Sequence, residues 1–191
     1  RDLLAEAGWT VQDGVLKDSK GKVFTIDVLL IQKGFERIIG PYARNLKRLG
    51  IDTTYRTVDA SLYQRRIETF DFDMVVSSFP QSMSPGNELR NMFSSESADT
   101  KGSRNLAGIK DPVVDALIDT IINSEDREQL VTATRALDRV LLAGEYLVPN
   151  WFINTHRIAY RDIFGIPRTL PLYFEPESWL LKSWWLKDAK K

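Results

Sequence analysis

The 191-residue sequence contains no cysteine and a single histidine, His156. The first absence removes disulfides and thiolate metal ligands, and together the two all but rule out a zinc centre. Any nucleophile–histidine pair would have to use His156. That residue sits in NTHRIAY, and the chain has no Gly-x-Ser-x-Gly elbow. Neither Gly-x-Gly-x-x-Gly nor Gly-x-x-x-x-Gly-Lys-Ser/Thr occurs, so nucleotide cradles of those types are missing. No apolar run approaches the length needed to cross a bilayer. Net charge is lacking too, because 26 basic and 26 acidic side chains cancel. That balance gives no support for nucleic acid or an anionic membrane as partner.

What is present suits one ordinary domain with a small appendage, since 43% of the residues are apolar and can fill a core. Arg1 opens what reads as a helix closing on Gly8, with Leu3, Leu4 and Ala7 on its apolar face. A chain that starts inside a helix is expected to be a piece of something longer. Turn signals at Asp13-Gly14 and Lys20-Gly21 predict a hairpin, and the β-branched run 23–31 predicts a largely buried strand. Phe35, Ile38, Ile39, Tyr42, Leu46 and Leu49 share one helical face that ends at Gly50. Pro41 lies within that face, so the helix is expected to kink there or to start near Gly40.

Residues 51–58 alternate like a half-buried strand, Asp59 is placed to cap a helix over 60–69, and 72–78 reads as a further strand. Strand–helix–strand–helix–strand with short links predicts a parallel α/β unit with right-handed crossovers. A Ser-, Asn- and Gly-rich loop follows over 80–108, with room for a short helix at Leu89, Met92 and Phe93. Asp111-Pro112 then starts a helix burying Val113, Val114, Leu117, Ile118 and Ile121. Another helix, about 125–143, buries Leu130, Ala133, Leu137, Val140 and Leu141. The run 146–153 is apolar enough for a buried strand, restricted by Pro149. Beyond Thr155 the pattern loosens into an aromatic tail with Tyr173, Phe174, Trp179, Trp184 and Trp185, most of it expected to pack rather than bind.

Candidate chemistry is sparse. Asp71 and Asp73 point to the same side of a strand and could hold a divalent cation, as in a cation-dependent transferase; solvated strand-end carboxylates are the plainer alternative. Ser77, Ser78, Phe79 and Gln81 follow the carboxyl end of an expected central strand, where α/β sheets place ligands. Short hydroxyls there can bond a ligand backbone and Phe79 can cover an apolar side chain, or Ser and Pro simply end the strand. Arg104 could pair with a ligand carboxylate or a surface Asp, and Asn105 could fix a ligand amide or form an Asx turn. Trp151 offers a broad apolar face and one donor, suited to a side-chain pocket or to the core.

Several landmarks recur in a fixed order. They are LLAEAGW (3–9), Leu49-Gly50-Ile51, Asp71-Phe72-Asp73 with its apolar strand, GSRNLAGIKDPVVDALI (102–118), Leu137-Asp138-Arg139-Val140-Leu141 and Val148-Pro149-Asn150-Trp151. In that order and spacing the chain resembles the C-terminal portion of extracellular solute-binding proteins of family 5, the oligopeptide- and dipeptide-binding components of ABC importers. The resemblance implies the distal lobe of a two-lobe periplasmic-binding-protein-like fold over residues 1–155. Residues 156–191 would form a return segment packing on a first lobe that this sequence does not contain. It also implies a non-enzymatic protein without cofactor, periplasmic or lipid-anchored outside the cell. Its partners would be a peptide or peptide-like ligand, ABC permease subunits and its own amino-terminal lobe. Ligand contact would fall to Ser77, Ser78, Phe79, Gln81, Arg104, Asn105 and Trp151. The family's acidic anchor for a peptide amino terminus has no assignable counterpart here. A third class, an interaction domain built on the Trp-rich tail, stays open at this point.

Overall fold

The computed structural model describes residues 1–153, 155–171 and 176–187, and it falls into two compact units, 1–146 and 147–191. The first unit opens with helix α1 (Asp2–Glu6) and the hairpin β1 (Thr10–Gln12)–β2 (Val15–Lys17). The expected turn at Asp13-Gly14 closes this hairpin, both residues having positive φ. Helix α1 fully buries none of its residues, and of its predicted apolar face Leu3 and Ala7 are exposed while Leu4 is half-buried.

The centre of the unit is a three-stranded parallel sheet. Strands β3 (Thr25–Leu30), β4 (Asp52–Thr57) and β5 (Met74–Val75) lie in the order β4-β3-β5. Helix α2 (Glu36–Lys47) joins the first pair and α3 (Ala60–Glu68) leads to the third strand, which gives the expected βαβαβ succession. Val28, Leu29 and Leu30 are almost wholly buried, as a continuous apolar run in a central parallel strand should be. Val28 and Leu30, with Ile39 and the flanking Ile26, Phe35, Met74 and Val76, form the sheet-side core.

Pro41 lies inside α2, which is already helical from Glu36, so of the two expected alternatives the later start near Gly40 does not hold. Strand β5 is only two residues long and pairs only with β3, so it is an edge strand of this sheet and not the central one. Asp59 caps α3 as predicted, its carboxylate accepting from the Leu62 amide at 3.0 Å.

Gly50 ties the hairpin to the sheet. Its φ of +86° is one that L side chains rarely adopt, and the Leu16 amide donates to its carbonyl at 2.8 Å. A Cβ at Gly50 would come within 2.7 Å of the Leu16 backbone nitrogen.

The second half of the unit is helical: α4 (Glu88–Phe93), α5 (Pro112–Ile122) and α6 (Arg127–Ala143). Asp111 and Asp126 cap the last two, accepting from the Val113 and Gln129 amides at 2.8 Å each. Their shared core comprises Leu89, Met92, Phe93, Ile109, Val114, Ile118, Ile121, Ala133 and Leu137. Leu117, Leu130, Val140 and Leu141 pack against it. Val113 does not join them. It is exposed, because as the second residue of the helix it falls off the 3.6-residue face set by Val114, Ile118 and Ile121.

The second unit holds α7 (Pro176–Ser183) and the small antiparallel pair β6 (Phe164–Gly165)–β7 (Trp185–Leu186). Trp184 is its anchor, meeting Tyr160 and Trp179 edge-to-face and Phe164 at a tilt. The strand expected over 146–153 does not form, and Leu147, Val148, Trp151, Phe152 and Ile153 are all exposed. The structural boundary therefore falls at Tyr146/Leu147, ahead of the expected 155. Tyr173 and Phe174 lie outside the described residues.

Candidate ligand-binding wall

The segment after β5 leaves the carboxyl end of the parallel sheet, the end at which open α/β sheets present ligands. Ser77, Ser78, Phe79 and Gln81 are all exposed on it. Phe79 is held from below by Phe93 of α4, the ring centroids lying 5.5 Å apart. Gln81 donates through Nε2 to the Met92 sulfur at 3.5 Å. Arg104, from the distant loop before α5, reaches the same segment and donates from Nη2 to the Ser78 carbonyl at 3.3 Å. Five of the seven predicted site residues thus converge on one patch. Sequence reasoning missed the supporting set: Met92 and Phe93, expected only as part of a short helix, and Asn91, which accepts from the Arg104 amide.

Asn105 does something else. It has no exposed surface, and its side-chain nitrogen donates to the Ser94 and Ile109 carbonyls at 2.9 and 3.0 Å. Its oxygen accepts from the Ile109 amide at 2.8 Å. The neighbouring Ser103 is buried as well, its hydroxyl donating to the Ser97 carbonyl at 2.7 Å and accepting from the Asn105 amide. A fully satisfied buried polar network of this kind fixes a loop. Asn105 has nothing left to offer a ligand, and the expectation of ligand contact there is corrected to a structural one. Trp151 belongs to the second unit, in the exposed segment 147–153.

Asp71 and Asp73 are also spoken for. Asp71 accepts from Arg66 Nε at 2.9 Å, and Asp73 accepts from the Asp27 amide at 2.8 Å. Arg66 turns its Nη2 to Asp27 at 3.1 Å, and Asp27 in turn accepts from the Thr54 hydroxyl. The hydrogen bond that Arg66 donates to Asp27, and then the charge of Asp71, hold the Arg66 guanidinium above its ordinary value. This lattice staples α3 to the sheet. The strand-end carboxylates thus act as acceptors within this network.

Between the 81–85 segment and α6 lies a groove of about 380 Å³, lined mainly by Met83, Pro85, Leu89, Phe93, Leu130 and Leu141. The Arg127 guanidinium donates to the Met83 carbonyl across it.

A parallel α/β lobe with a polar and aromatic patch beyond the carboxyl ends of its strands is the architecture of periplasmic binding proteins. The comparison with solved structures agrees. The oligopeptide-binding protein AppA of Bacillus subtilis, solved with a nonapeptide, matches with a TM-score of 0.67 and 25% identity over 76% of this chain and 29% of that one. The family model for bacterial extracellular solute-binding proteins, family 5 (middle), matches residues 1–101, and the chain belongs to that family. An uncharacterized protein of Sinorhizobium fredii, y4wM, is 45% identical over 185 residues, covering 95% of this chain and 28% of the relative. The probable peptide-binding protein YejA of Agrobacterium fabrum is 42% identical over 180 residues, covering 93% of this chain and 29% of the relative.

The chain therefore spans less than a third of the length of the curated relatives it matches. Membership places it among periplasmic or extracellular proteins that bind solutes without transforming them, and the transferase reading of Asp71 and Asp73 is set aside.

Proposed function

We propose that residues 1–146 form the distal lobe of a two-lobe binding component that captures oligopeptides and delivers them to an ABC permease. Residues 147–191 would lead back to, and pack on, an amino-terminal lobe outside this sequence. The observation that carries the proposal is the convergence of Ser77, Ser78, Phe79, Gln81 and Arg104 at the carboxyl end of the sheet. Extended peptides are recognised largely through backbone hydrogen bonds, with side chains dropped into roomy pockets. Exposed hydroxyls and an amide beside an aromatic face supply those two kinds of contact. The exposed Val148, Phe152 and Ile153 fit a segment whose covering surface belongs to another lobe. Names among the relatives and neighbours that specify peptides point the same way.

In such a protein the ligand favours closure only by the difference between its affinities for the closed and open forms. A single lobe has lost that difference. Titration calorimetry of the 191-residue chain with short peptides is expected to give no binding at micromolar concentrations. The polypeptide encoded in frame around it is expected to bind the same peptides. Micromolar affinity in the isolated chain, or indifference to peptides in the longer polypeptide, would overturn the proposal.

A further inference from the structure

We infer that Arg104 is the anion anchor of this wall and selects ligands that carry a carboxylate; the inference rests on the peptide-binding reading above. Three observations lead to it. The first is how firmly the residue is mounted. Its backbone amide donates to both the carbonyl and the side-chain oxygen of Asn91, at 3.1 and 3.2 Å. It is flanked by Ser103 and Asn105, at 4% and 0% exposure, whose side chains lock the loop through the bonds already described.

The second is direction. The guanidinium is oriented by the Ser78 carbonyl, on the exposed segment that also carries Ser77, Phe79 and Gln81. The third is what it lacks. Arg66 has two carboxylates and Arg90 is paired with Asp119 at 2.7 Å, whereas no described carboxylate lies within ion-pair distance of Arg104. An exposed cation held in place before the ligand arrives loses little freedom on binding, and its free N–H fork matches a carboxylate's two oxygens. A lysine would keep the charge but lose the fork. The carboxylate could be a peptide's C-terminus or an acidic side chain, and the chemistry presented here is the same for both.

The test uses the polypeptide encoded in frame with this segment. Three peptides of one sequence are compared by calorimetry: a free C-terminal acid, its C-terminal amide, and an amide with one Asp added. Each is titrated against the unaltered protein and the variants Arg104→Gln and Arg104→Lys. Removing the carboxylate from the ligand is expected to weaken binding about tenfold or more in the unaltered protein. In Arg104→Gln the acid and amide should bind alike, and Arg104→Lys should recover only part of the discrimination. The Asp-bearing amide shows which source of carboxylate is read, according to whether it regains the lost affinity. Equal acid-to-amide ratios in the unaltered protein and Arg104→Gln, with peptides still bound, would overturn the role of Arg104 and leave the peptide-binding reading standing. Failure of every peptide to bind the unaltered protein would remove both. Unchanged melting temperatures for the variants, expected of an exposed side chain, confirm that binding alone has been altered.

Discussion

Residues 1–146 and 147–191 solve the problem of apolar side chains in opposite ways. The first unit encloses Val28, Leu30, Ile39 and the Val114–Leu137 set in two cores, and closes its loops with satisfied polar groups. In the second, Trp184 gathers a small aromatic cluster, while Val148, Phe152, Ile153 and Leu181 remain more than half exposed. One region thus contains the means of its own folding. The other carries the composition of a core without the surface that would complete it. A sequence can be equally apolar in both places, and the difference becomes visible only when partners are assigned.

The contrast can be broken most sharply at Asn105. Replacing it with Ala removes three hydrogen bonds and strips the buried Ile109 amide and carbonyl of their Asn105 partner, while the Ser94 carbonyl keeps Ser97, so the first unit should lose about 3 kcal/mol. Denaturant melts of the 191-residue chain would read this directly, and a change below about 1 kcal/mol would mean that the loop has a ready alternative. Gly50→Ala comes next. The new Cβ must enter a left-handed conformation and press on the Leu16 backbone, for an expected loss of about 1–3 kcal/mol by the same measurement.

Phe152→Ser sharpens the comparison from the other side. Because Phe152 is 85% exposed, the first unit's melting should not move, while solubility of the isolated chain should rise, as light scattering would show. The smallest effect concerns Lys187, whose ammonium lowers the Asp162 pKa, chiefly by its hydrogen bond and then by its charge. A lowered carboxylate stabilises the fold above its unfolded value and loses that contribution as pH falls through its folded value. The β6–β7 pair should therefore loosen slightly below the ordinary carboxylate value of 3.8, visible as tryptophan fluorescence changing while the first unit holds. Asp162→Asn should abolish that step.

The same contrast explains what the sequence could and could not tell. Periodicity finds elements that are completed locally, and so the parallel βαβαβ order, the Asp59 and Asp111 caps and the α5–α6 faces were all recoverable. The strand expected over 146–153 failed because apolarity states a need for burial without naming what supplies it, and Pro149 provides no amide for a ladder. Strand β5 was over-extended for a related reason. A strand's length depends on the neighbours that pair with it, and only Val28 and Leu29 pair with β5. At the site, short polar residues after a strand and a lone Arg were recognisable by type. Asn105 had the same look as a ligand-binding residue, and only its zero exposure and three inward hydrogen bonds separate it from Arg104.

The central claim is that the patch from Ser77 to Gln81, with Arg104, is the face that a peptide touches. Hydrogen exchange on the polypeptide encoded in frame, read by mass spectrometry with and without a bound peptide, tests it most directly. Slowed exchange at 77–82 and 102–105, with the α5 amides of 114–121 unchanged, is the predicted result. Protection that appears elsewhere and leaves 77–82 untouched would contradict the account.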